Sequence, residues 1–147
     1  MKFTLIIDKT QEEEVIVRAQ GPSALTEQIE ALVLAHNQTD RIAAYRDDEM
    51  RVLKFSQIEC ITVLDGKVTA IDTSGKYYRL KQRLYELEPL LPATFIRINK
   101  SAFANETRLK EFTATFSGGV DAVFQCGYRE YVSRRCFAQI KRRLEGK

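Results

Sequence analysis

Apolar residues recur along this chain with two periods, and the change from one to the other divides it. Phe3, Leu5 and Ile7 fall on one face of an extended segment over residues 2–8, which predicts a strand. Glu12-Glu13-Glu14 follows as a polar turn, and Val15-Ile16-Val17-Arg18 predicts a second strand. Gly21-Pro22-Ser23 then signals a helix start, because proline is preorganised for the first turn and a small polar residue can cap it. Leu25, Ile29, Leu32 and Val33 recur at helical spacing to about Ala35, and Asn37-Gln38 closes the run. Residues 1–38 thus predict a small ββα extension.

From residue 39 the texture becomes short strands and tight turns. Strands are expected at Arg41–Tyr45, Met50–Leu53, Ile58–Leu64, Val68–Asp72, Lys76–Arg79, Phe95–Asn99, Phe112–Phe116, Val120–Gln125 and Tyr131-Val132, with Ser101–Ala104 extended. Asp65-Gly66 is a two-residue hairpin signal, and Gly118-Gly119 closes another turn. Leu80, Leu84, Leu87 and Leu91 have helical spacing, which Pro89 and Pro92 hold to a few turns. Cys136, Phe137, Ile140 and Leu144 give an amphipathic C-terminal helix. The expected class is mostly β with short helices, an α+β domain over residues 39–147 behind the extension.

The length of 147 residues suits one domain with a small appendage, and 44% hydrophobic against 29% charged residues is a folded composition. No apolar run approaches the roughly 18 residues of a membrane span. Asp8 interrupts the first apolar stretch before it reaches the length of a signal peptide core. A cytoplasmic protein is expected. Cys60, Cys126 and Cys136 form no C-x-x-C pair, which excludes zinc ribbons and thioredoxin-type sites and leaves reduced, mostly buried thiols.

Catalytic chemistry finds little to work with. The single histidine, His36, falls at the end of a predicted surface helix, and neither G-x-S-x-G nor a phosphate-binding G-x-x-x-x-G-K-[ST] occurs. Glu12-Glu13-Glu14 and Asp47-Asp48-Glu49 read as solvated turns, since a metal site draws ligands from several elements. No enzyme activity, cofactor or metal is expected.

Charge changes the picture. Residues 1–73 carry 8 Lys/Arg against 13 Asp/Glu, whereas residues 74–147 carry 15 against 7. A basic half suits a polyanion. Its cations form three clusters. The first is Lys76, Arg79, Lys81 and Arg83. The second is Arg97-Ile98-Asn99-Lys100-Ser101, where strict alternation would put Arg97 and Asn99 on one face. The third is Ser133-Arg134-Arg135, continued by Lys141-Arg142-Arg143. Arg and Lys reach phosphates or guanine edges, Asn pairs with adenine and Ser donates to phosphate. Arginine in a first helical turn opposes the helix dipole, which points to an anionic partner. A polar strand edge and a solvated basic face remain the plain alternatives for these clusters.

Three segments in order resemble the LytTR DNA-binding domain of bacterial response regulators: Leu80–Glu88, Phe95-Ile96-Arg97-Ile98-Asn99-Lys100-Ser101 with Asn105 downstream, and Val132-Ser133-Arg134-Arg135. The resemblance covers residues 39–145. The first 38 residues do not resemble a phosphoacceptor receiver; the whole chain resembles the small stand-alone regulators of Gram-positive bacteria. The resemblance implies an elongated antiparallel β fold lying along double-stranded DNA, with loops at strand ends entering successive major grooves. By position, it implies reading loops at Asp65-Gly66-Lys67, at Asn99-Lys100-Ser101 and at Arg134-Arg135. Lys67, Lys100 and Arg135 are then expected at base edges. Arg97, Lys81, Arg83 and Arg134 are expected at phosphates or in loop support, and Asn105 as the tie of a turn. It further implies a homodimer on a direct-repeat operator and a small membrane protein, encoded nearby, that restrains the regulator. The rival reading is an adaptor that keeps the fold, is held by a membrane partner and has no DNA binding of its own.

Overall fold

A computed structural model describes residues 1–11, 14–38 and 40–146, without the side chains of 34–38. Two of the three residues of the expected Glu12-Glu13-Glu14 turn, and the side chain of His36, lie outside the described residues. The chain forms two compact units, Met1–Asn37 and Gln38–Lys147.

The first unit holds all but the last residue of helix α1 (Ala24–Gln38). Ser23 caps it: its hydroxyl accepts from the Thr26 N–H at 3.2 Å, and the Thr26 hydroxyl accepts from the Ser23 N–H at 2.8 Å. The two strands expected at residues 2–8 and 15–18 are not found, since no described residue there enters a ladder. Phe3, Leu5 and Ile7 are exposed instead. A two-stranded hairpin is marginal in water, and alternation alone did not suffice to pair these segments.

The second unit contains β1 (Arg41–Arg46), β2 (Glu49–Lys54), β3 (Ile58–Leu64), β4 (Lys67–Asp72), β5 (Tyr77–Arg79), the one-turn helix α2 (Leu84–Leu87), β6 (Phe95–Asn99), β7 (Ala102–Asn105), β8 (Leu109–Ala114), β9 (Val120–Phe124), β10 (Arg129–Val132) and α3 (Arg134–Glu145). Seven strands form one antiparallel sheet in the order β2-β1-β5-β4-β3-β7-β6, and three form a second in the order β10-β9-β8. The larger sheet is covered on both faces. Ile42, Leu53, Ile61, Ala70, Tyr78 and Phe103 pack beneath Leu80, Leu87 and Phe95. Cys60, Ile71, Ile96 and Ala104 cluster with Ala122, Phe124, Val132 and Ile140 of the smaller sheet and α3. Central strands buried on both faces read as continuous apolar runs, and residues 58–62 of β3 are all buried. Glu59 lies within that run at 1% exposure, where its Oε1 accepts from the Cys126 N–H at 2.9 Å. Burial pushes the neighbouring Cys60 thiol well above its ordinary pKa, with Glu130 adding to the shift.

Two local features place the site. The β3–β4 turn has Asp65 at φ 52° and Gly66 at φ 74°, the two left-handed residues a tight hairpin turn demands. Along β6, the register with β7 runs Phe95↔Asn105, Ile96↔Ala104, Arg97↔Phe103 and then Asn99↔Ala102, so Ile98 is an extra residue in a β-bulge. No helix of the described residues is long and apolar enough to cross a membrane.

Candidate nucleic-acid interface

The bulge turns Asn99 inward. Ile98 and Asn99 are both buried, at 0% and 7% exposure, so Asn99 does not share the open face of Arg97. Its amide is fully engaged. Nδ2 donates to the Tyr131 carbonyl at 2.6 Å and to Glu130 Oε2 at 3.2 Å, while Oδ1 accepts from the Ser101 N–H at 2.7 Å. Asn99 therefore braces the turn that carries Lys100 and has no donor left for a base.

Arg97 is a second brace. Its Nη1 donates to the Lys100 carbonyl at 2.8 Å, its Nη2 lies 3.4 Å from Glu88 Oε2, and its guanidinium stacks 4.5 Å from the centre of the Phe103 ring. With both ends of the guanidinium held, Lys100 projects exposed from a turn tied on two sides.

The other cations stand differently. Lys67 is exposed beside the β3–β4 turn, and the Lys81 ammonium sits 4.8 Å over the Tyr45 ring. Arg83 precedes α2, where its backbone N–H donates to Glu86 Oε1 at 3.0 Å and its side chain stays exposed. Ser133 caps α3, its hydroxyl accepting from the Cys136 N–H at 3.2 Å, and Arg134 and Arg135 are exposed in the first turn. Among the described residues, Lys67, Lys81, Arg83, Lys100, Arg134 and Arg135 have no carboxylate within ion-pair distance.

Most of these residues share one surface. A concavity of about 790 Å³ runs between the β6–β7 turn and α3, bordered by Arg97, Lys100, Ser101, Tyr131, Arg135 and Gln139. A second, of about 920 Å³, is bordered by Lys67, Arg79, Lys81, Arg83, Arg97 and Lys100. Arg97 and Lys100 border both, so the two hollows are neighbours, together a trough bordered by positions 67, 100 and 135. Arg134 departs from this group. It borders a third hollow with Gly118, Gly119, Phe137 and Lys141, which meets the first at Tyr131. Tyr131 and Gln139 were not anticipated. Gln139 lies four residues after Arg135 on α3, and helical spacing alone would have placed the two on one face. Tyr131 left no comparable signal in its strand.

A trough lined mostly by cations without a carboxylate partner among the described residues, carried at strand ends and one helix start, suits a β-type nucleic-acid-binding module. A family profile described as the LytTr DNA-binding domain matches residues 48–145, and the chain belongs to that family of DNA-binding regulators, which is not an enzyme class. Proteins named as uncharacterised HTH-type transcriptional regulators in Staphylococcus aureus strains MSSA476 and NCTC 8325 are each 32% identical over 147 residues, covering 98% of both chains. The LytTr DNA-binding domain of a putative methyl-accepting/DNA response regulator from Bacillus cereus has the same fold. It is 24% identical with a TM-score of 0.63, and the match covers 74% of this chain and 98% of that one. Among the described residues no two helices are joined by a short turn, so the fold offers no helix-turn-helix despite the relatives' name.

Proposed function

We propose that this chain is a sequence-specific transcription regulator that reads successive major grooves of double-stranded DNA through its strand-end loops. The cationic trough carries the reading. Lys67, Lys81, Arg83, Lys100 and Arg135, which have no carboxylate partner among the described residues, gain an anionic one when phosphates line the trough. Lys67, Lys100 and Arg135 reach base edges. Lys81 and Arg83 take phosphates, and Arg134 takes one at the flank, outside the trough. Arg97, Asn99 and Ser101 hold the reading turn. The regulator works in the cytoplasm, two protomers bind a direct repeat, and residues 1–38 form an accessory unit with a small membrane protein as its restraining partner.

The test is a mobility shift on the promoter of the protein's own operon, repeated over a range of salt. With about six phosphates neutralised, log K is expected to fall against log salt with a slope near −5. A flat salt response, or no shift on any duplex, rejects this reading and favours the adaptor.

A further inference from the structure

The elements proposed above to read DNA hang from different sheets. Lys100 follows β6 of the larger sheet, whereas Arg135 opens α3, which follows β10 of the smaller one. Polar contacts between β6 and β10 join them. The carbonyl of the bulge residue Ile98 accepts from the Ser133 N–H at 2.9 Å, which docks the cap of α3 on β6. Asn99 reaches across to the Tyr131 carbonyl and to Glu130. The other oxygen of Glu130 accepts from the Tyr128 hydroxyl at 2.8 Å.

A carboxylate here is informative. Glu130 has no cationic partner within ion-pair distance among the described residues, although Arg129 precedes it in the chain. What it offers instead is two oxygens that only accept. The Tyr131 carbonyl likewise only accepts. Both hydrogens of the Asn99 amide are thereby directed at β10, and its Oδ1 has to face the Ser101 N–H inside the Lys100 turn. Burial, together with the adjacent Glu130, raises the Tyr128 phenol far above its usual pKa, so it stays a donor to that carboxylate.

We propose that Glu130 is a positioning residue for DNA reading, which together with the Tyr131 carbonyl holds the Asn99 amide and through it the turn that presents Lys100 to a base. The proposal rests on the functional reading above. It adds a residue that touches no DNA yet decides how sharply one part of the operator is read. Gln in its place keeps one oxygen that accepts, but a neutral and weaker one than the carboxylate, so Asn99 is held less firmly while the Tyr131 carbonyl and the Ser101 N–H still set its orientation. Ala removes the acceptor altogether.

The experiment selects duplexes from a random-sequence library with the full-length wild-type chain. The selected duplex and a poly(dI-dC) duplex then serve as specific and non-specific probes for Glu130→Ala, Glu130→Gln and Lys100→Ala. The specific-to-non-specific affinity ratio is expected to fall about tenfold in Glu130→Ala and about threefold in Glu130→Gln, with poly(dI-dC) binding and the salt slope unchanged. Reselection with Glu130→Gln is expected to blur the base positions that Lys100→Ala blurs and to keep the others sharp. A general loss of stability would instead weaken every position alike. If Glu130→Ala does not fold, the isosteric Glu130→Gln decides. A wild-type ratio and wild-type base preferences in Glu130→Gln, and in Glu130→Ala where it folds, overturn the proposal. A wild-type chain that selects no sequence overturns the functional reading itself, a result distinct from the first.

Discussion

Two arginines from different basic clusters make different contacts, which suit them to different tasks. Arg97 is committed to the Lys100 carbonyl, to Glu88 and to the Phe103 ring, whereas Arg135 has no ion-pair partner among the described residues and borders the trough. Arg83 is exposed at the far concavity, where a phosphate contact carries no base information. Arg135→Ala is expected to cost about 1–3 kcal/mol of binding and to relax selectivity at one base position, while Arg83→Ala weakens all duplexes alike. Fluorescence anisotropy on matched and singly mismatched duplexes separates the two. Charge clusters were legible in the sequence because cations must be exposed somewhere. The difference in their contacts was not, because it depends on where Glu88 and Phe103 fold. Asn99 is the clearest case. Period-two reasoning set it beside Arg97, and one inserted residue in the ladder turned it inward.

At the scale of elements, features decided within a few residues were readable. Asp65-Gly66 predicted its hairpin because only such residues accept two successive left-handed conformations cheaply. Ser133 likewise caps α3, and Asn105 ties its turn: Nδ2 donates to the Ile58 carbonyl at 3.0 Å and Oδ1 accepts from the Thr107 N–H at 3.2 Å. Boundaries set by distant partners were read less well. β8 starts at Leu109 rather than Phe112, through pairing with Phe124, and the strands expected in the first unit have no ladder. The cap of α3 makes its own prediction. The first turn holds two arginines and no acid, so the Ser133 hydroxyl is the side chain that offsets its free N–H groups. Ser133→Ala is expected to lower stability by about 1 kcal/mol in equilibrium urea unfolding.

For the whole molecule, both hydrophobic clusters and every cation of the trough lie in the unit Gln38–Lys147. A fragment of residues 38–147 is therefore expected to fold alone, with the urea midpoint and salt-dependent DNA binding of the full chain. A lost transition or lost binding in that fragment would make the first unit part of the fold rather than an appendage. The defect in β6 has a consequence of another kind. Mending it by removing Ile98 would restore an even strand but empty the place of a fully buried side chain. The same repair would take away the carbonyl on which α3 is docked. Hardiness and operator choice would then be lost together at a single peptide unit.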